Sequence, residues 1–154
     1  MLEFEKVVEV KLRTENDYKS GANWFYWIAG MSILNEIFLQ IQSGWSFAIG
    51  LGITQLLNAI FRNGVGSIIA TVILSGLFVL FGKMAHQGRR WAFITGIIIY
   101  SLDGILFIIV KDYVGLGLHV FALFYVYRGL RAYNNLIEIN NNPVVKTNEE
   151  GIQL

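Results

Sequence analysis

The chain has 154 residues, 55% of them apolar and 15% charged, with sixteen glycines, one proline and no cysteine. A water-soluble domain of this size needs more polar surface, and without thiols there is neither a disulfide scaffold nor a thiolate metal site. A formal net charge of +1 gives no general attraction to nucleic acid.

The charges are segregated, with nine in residues 1–20, ten in 21–131 and four in 132–154. This divides the chain into a charged N-terminal amphipathic segment (1–20), a transmembrane helical bundle (21–131) and a polar, flexible C-terminal tail (132–154). The N-terminal charges, from Glu3 to Lys19, leave no apolar core for a cleavable signal, so membrane insertion is expected to begin with the first internal run. Leu2, Phe4, Val7, Val8, Val10 and Leu12 alternate with those charges, as in a helix lying on the membrane surface or in a short strand; the helix is the favoured reading.

Five apolar runs follow in chain order: 24–41, 45–61, 65–82, 91–110 and 113–127. Backbone polar groups in hydrocarbon must be satisfied within their own segment, so each run predicts a helix, and none contains proline. The fold class is all-α, an integral membrane bundle of five embedded helices. Trp24, Trp27, Trp45 and Trp91 stand at run starts, where an interfacial aromatic belt places them.

The second run decides the topology. Ser46, Gly50, Thr54 and Asn58 recur every four residues with Gln55 beside them, a narrow polar stripe rather than the broad basic face of a surface helix. An embedded second helix puts the termini on opposite sides. The alternative is four spans plus one re-entrant or interfacial helix, which puts both termini beside the basic loop of Lys83, Arg89 and Arg90 and satisfies the positive-inside bias better. Either way, loop 83–90 and the C-terminus are expected in the cytoplasm. From Asn134 onward the Asn-rich stretch reads as a frayed tail.

Residues 32–37 resemble 100–105, and 50–54 resemble 115–119, which suggests a helical hairpin repeated around a central helix.

Glu36, Asp103 and His119 are the ionisable side chains well inside the runs. Each is costly in lipid and should face the bundle with a partner. Asp103 lies about eight residues before the turn at 111–112 and His119 about eight beyond it, so at about 1.5 Å per residue the two reach similar depth in an antiparallel hairpin. A carboxylate beside an imidazole is a candidate proton or ligand site; equally, it satisfies two buried polar groups and fixes helix register. Asn35, Thr54, Gln55 and Asn58 form a secondary polar stripe. Ser67, Thr71 and Ser75 repeat every four residues and predict close packing with hydroxyl hydrogen bonds between helices. Arg89 and Arg90 are candidate contacts for anionic lipid headgroups, and His86 beside them reads as solvated. No His-Glu-x-x-His motif, dinucleotide fingerprint or Gly-x-Ser-x-Gly elbow is present, so neither a metal nor a cofactor is expected.

Gly-Ala-Asn-Trp-Phe-Tyr-Trp-Ile-Ala-Gly at 21–30, Gly-Leu-Gly-Ile-Thr-Gln at 50–55, the Trp-Ala-Phe-Ile-Thr-Gly and Leu-Asp-Gly-Ile-Leu-Phe motifs within 91–107, and His-Val-Phe-Ala-Leu-Phe at 119–124 together resemble a family of small uncharacterised prokaryotic multi-spanning membrane proteins. The resemblance implies a bacterial-type inner membrane and transfers no activity. The favoured expectation is a non-enzymatic integral membrane protein that binds a ligand, lipid or protein partner in its bundle, with a homo-oligomer or a second membrane protein as possible partner and no nucleic acid. A proton-coupled transporter and an intramembrane enzyme, both using Asp103 and His119, are the alternatives.

Overall fold

A computed structural model describes residues 2–41, 50–61 and 64–141. The protein is all-α, with five helices among these residues: α1 (Leu2–Gln40), α2 (Gly52–Phe61), α3 (Val65–His86), α4 (Arg90–Ile109) and α5 (Tyr113–Asn141). Helices α3, α4 and α5 are long and apolar enough to cross a membrane. The apolar half of α1 also carries Asn23, Ser32, Asn35 and Glu36.

The charged N-terminal segment is not a separate element. It forms the first half of α1, whose 39 residues make a rod of about 58 Å, roughly twice the thickness of a bilayer's hydrocarbon core. The change from charged to apolar residues does not break the helix. The expected frayed tail is likewise corrected in part, because α5 continues through residues 132–141. It does so because α1 offers it a partner: Ala132 is buried, and the Tyr133 ring sits edge-on to Tyr18 with centroids 5.6 Å apart. Trp45, Ser46 and Pro143 lie outside the described residues.

Helices α1 and α5 run antiparallel along a seam with spacings of three and four. Tyr18, Phe25, Ile28, Ser32 and Asn35 on α1 are buried, as are His119, Ala122, Val126 and Gly129 on α5. That spacing is the one by which two helices interdigitate at a shallow angle. The closest approach is Gly21 against Gly129, where a Cβ on Gly129 would lie 2.6 Å from the Gly21 Cα. The shared core is aromatic. Phe25 is fully buried with its ring centroid 6.0 Å from Phe93, 6.1 Å from Phe81 and 6.2 Å from Phe78. The outer faces remain apolar, with Val72, Ile73, Ile98, Leu102, Ile105 and Phe124 exposed, an arrangement suited to hydrocarbon and not to water.

Two helix ends explain the tight turns. After α3, Gly88 takes φ +72° while the Arg89 amide donates to Met84 O and the Gly88 amide to Ala85 O. After α4, Lys111 takes φ 59° while the Asp112 amide donates to Phe107 O and the Lys111 amide to Ile108 O. Both are left-handed caps that satisfy the last carbonyls of the helix. Asp112 then starts α5 by accepting the Gly115 amide at 2.9 Å.

At one end of the bundle the Tyr18 hydroxyl donates to His86 O and the His86 Nε2 pairs with Asn23 Oδ1 at 2.8 Å. His86, expected to be solvated, is thus tied to α1. Loop 83–90 therefore sits beside the charged half of α1 and the C-terminal half of α5. Helix α2, by contrast, has ten residues, about 15 Å and half of a hydrocarbon core. Among the described residues α4 and α5 are two long helices joined by a tight turn, whereas the described part of the first pair is the long α1 and the ten-residue α2.

Candidate functional site

The short helix α2 begins inside the protein, so its first amide groups need partners that water would otherwise supply. Leu51, immediately before the helix, has no side-chain acceptor, and neighbouring helices provide the missing ones. Ser32 Oγ on α1 accepts the Leu51 amide at 2.8 Å and donates its own hydrogen bond to Ile28 O at 2.8 Å. On α4, Asp103 accepts twice, Oδ2 from the Gly52 amide at 2.7 Å and Oδ1 from the Ile53 amide at 2.8 Å. A negative group at this position also complements the helix dipole. Thr54 closes the turn, its hydroxyl donating to Leu51 O at 2.6 Å.

Asp103 and His119 meet across the α4–α5 turn, with Nε2 of His119 2.9 Å from Asp103 Oδ2. A carboxylate only accepts, so the imidazole presents Nε2–H to it. The ring is fixed from both sides, stacked on Tyr100 with centroids 4.2 Å apart and tilted against Phe107 at 4.4 Å. Both side chains are buried, and Nδ1 of His119 has no hydrogen-bond partner among the described residues.

Glu36 belongs to a second cluster. Its Oε1 accepts from Gln40 Nε2 at 2.8 Å and Ser67 Oγ at 3.1 Å; its Oε2 accepts from Asn58 Nδ2 at 2.7 Å and Thr71 Oγ1 at 2.8 Å. Three helices thus converge on one buried carboxylate. Asn58 lies five or six residues along α2 from the amides held by Asp103, a rise of about 8 Å. Glu36 is therefore not part of the Asp103–His119 centre, and among the described residues no three His, Asp or Glu side chains are grouped to hold a metal ion.

The secondary stripe is sorted by the structure. Asn35, Thr54 and Asn58 are buried, whereas Gln55 turns away and lines a groove of about 420 Å³ with Leu56, Ala59 and Ile109. Arg89 and Arg90 are exposed at the α3–α4 turn. Sequence reasoning missed Ser32 as the cap of α2 and the shared target of Ser67 and Thr71; the four-residue repeat of those hydroxyls was the available signal.

A further groove of about 320 Å³, open on its outer side at the exposed Leu102, lies between α2, α3 and α4. Its walls are Leu51, Ile53, Leu74, Phe78, Ile99, Leu102 and Leu106, and Asp103 is its acidic member. That volume falls at the small end of ligand pockets, and an apolar wall with few polar groups is typical of them. A carboxylate has about four acceptor positions. Among the described residues three in Asp103 are taken, by Gly52, Ile53 and His119, leaving one for a further donor.

The chain matches no protein-family model, no curated protein and no solved structure.

Proposed function

We propose that this is an integral membrane protein that binds an apolar molecule carrying one hydrogen-bond donor, its hydrocarbon body in the cavity between α2, α3 and α4 and its hydroxyl or ammonium end toward Asp103. The observation that carries this reading is the meeting of seven apolar side chains with a carboxylate that has one acceptor position unused. In this reading α1, α3, α4 and α5 cross the bilayer and α2 is a half-helix that enters and returns. Both chain ends and loop 83–90 then share the cytoplasmic side of a bacterial-type inner membrane, in keeping with the excess of Lys and Arg there. The exposed Leu102 at the cavity wall makes the lipid phase the route of entry. The test is photolabelling of the purified protein in nanodiscs with diazirine-bearing long-chain alcohol, amine and alkane probes. Labelling at the cavity by the alcohol or amine, lost when Ile99→Trp fills it, is the expected result. Equal labelling by the alkane, or labelling untouched by Ile99→Trp in a folded variant, overturns the reading.

A proton-coupled transporter is the second reading, favoured by the buried, unpartnered Nδ1 of His119 beside a half-helix. In liposomes it requires pH-driven substrate flux that disappears in folded His119→Phe.

A further inference from the structure

We infer that the Glu36 cluster is a binding site for a small monovalent cation, sodium by its chemistry, held between α1, α2 and α3 and separate from the Asp103 cavity. The first support is charge. The four groups that bond Glu36 are an amide on Gln40, an amide on Asn58 and hydroxyls on Ser67 and Thr71. All four are neutral. They fill the roughly four acceptor positions of a buried carboxylate without cancelling its charge, so a cation binds by displacing some of them and supplies the charge that neutral donors lack.

The second support is an oxygen with nothing to bind. Asn58 is 2% exposed, and its Oδ1 has no hydrogen-bond partner among the described residues. The amide cannot simply be turned over, because Nδ2 faces two acceptors, Glu36 Oε2 at 2.7 Å and Thr54 O at 3.0 Å. A carbonyl oxygen is thus fixed on the same amide that touches the carboxylate. With Glu36 Oε1 and Oε2, Ser67 Oγ and Thr71 Oγ1, it makes five hard oxygen donors from three helices.

Part of the donor set already has alternative acceptors. The Ser67 hydroxyl already has a second acceptor, Gly64 O, at 2.8 Å, and Asn58 Nδ2 keeps Thr54 O. When a cation takes the carboxylate, the Ser67 proton keeps Gly64 O and one Asn58 N–H keeps Thr54 O, while the Thr71 hydroxyl, the Gln40 amide and the other Asn58 N–H must turn away from Glu36. An all-oxygen set selects a hard cation over zinc, copper or iron. With one carboxylate, a monovalent ion leaves the site neutral, whereas calcium or magnesium would leave it positive in a low-dielectric interior. Access is short, since Glu36 lies four residues from the end of α1 at Gln40, about 6 Å along the axis. Gln40 is exposed and covers the carboxylate from that end.

The full chain, purified in detergent, is titrated with NaCl, KCl and choline chloride at constant ionic strength and pH while thermal unfolding is followed, with calorimetric NaCl titration as a second readout. Sodium is expected to raise Tm saturably and choline to leave it unchanged. Thr71→Val keeps the side-chain shape and removes one oxygen, so it should weaken the sodium midpoint roughly tenfold while the protein stays folded in choline. Glu36→Gln should abolish the response. If Glu36→Gln does not fold, Thr71→Val and Ser67→Ala carry the comparison. Equal Tm in sodium and choline for the folded wild type overturns the site, as does a response to pH alone, which would make the proton the cation bound. A larger response to potassium than to sodium overturns the assignment to sodium.

Discussion

Asp103 on α4 holds the first amide of α2, its Oδ2 lying 2.7 Å from Gly52 N, although 51 residues separate the two in the chain. A helix that starts inside an apolar bundle has exchanged the usual adjacent cap for a carboxylate on a different helix. Asp103 consequently has a structural task whatever it binds. In Asp103→Asn the side-chain oxygen can serve one of the two amides while the other faces an NH₂ group, so a buried donor is stranded at a cost of about 1–3 kcal/mol. Thermal unfolding should register that loss, and amide exchange should accelerate at Gly52 and Ile53 before it does in α4. Unchanged exchange at those two amides would refute the capping role.

His119 is held by two kinds of contact that one pair of variants separates. His119→Phe keeps an aromatic ring between Tyr100 and Phe107 and removes the 2.9 Å bond to Asp103. Asp103 then retains the two α2 amides, and the expected destabilisation is about 1–2 kcal/mol. His119→Ala also empties the space of a ring, and the cavity raises the expected cost to about 3–5 kcal/mol. The measurement is the difference in unfolding between the two variants; near-equal losses would mean that the stack contributes nothing.

Much of this architecture is legible in the sequence, for a reason that also marks where legibility ends. Hydrocarbon forces backbone pairing into local helices, so runs such as 65–82 and 91–110 announce themselves. The 111–112 turn lets Asp103 and His119 be brought level by counting residues. The cap of α2 leaves no such trace. A local cap would stand as Ser, Thr, Asp or Asn beside the helix start, and Leu51 stands there instead while Ser32 and Asp103 act from other helices. The Glu36 cluster is half visible, since Asn58 and the Ser67–Thr71 pair each show a four-residue period, yet periodicity names a face and not the carboxylate that two faces share. The continuity of α1 was hidden because a charge boundary near residue 20 looks like the end of an element, whereas the helix runs on through it.

The crossing of α1 and α5 depends on two glycines. A Cβ on Gly129 would meet the Gly21 Cα at 2.6 Å and the Phe93 ring at 3.1 Å. One obstacle is backbone and cannot rotate away, so Gly129→Ala must move the helices apart and should cost about 1–3 kcal/mol despite alanine's better helix propensity. Gly117, where a Cβ meets nothing within 4 Å, is the control, and Gly117→Ala should be neutral or stabilising by up to about 1 kcal/mol. Parallel thermal unfolding of the two variants reads the contrast. Equal behaviour would show that the close approach is not a constraint.

One substitution should strengthen the protein. Lys111 is the described non-glycine residue with positive φ, at 59°, and it ends α4 with the same hydrogen-bond pattern that Gly88 provides after α3. A side chain in that region costs about 1–2 kcal/mol, whereas glycine enters it freely but gains freedom in the unfolded chain, which returns part of the benefit. Lys111→Gly is therefore expected to stabilise by about 0.5–1 kcal/mol. Because Lys111 is exposed at the turn, the variant leaves the packing of Asp103 and His119 alone. The check is an increased Tm in detergent with ligand and cation responses equal to wild type. A decrease would mean that the Lys111 side chain makes a stabilising contact outweighing its backbone strain.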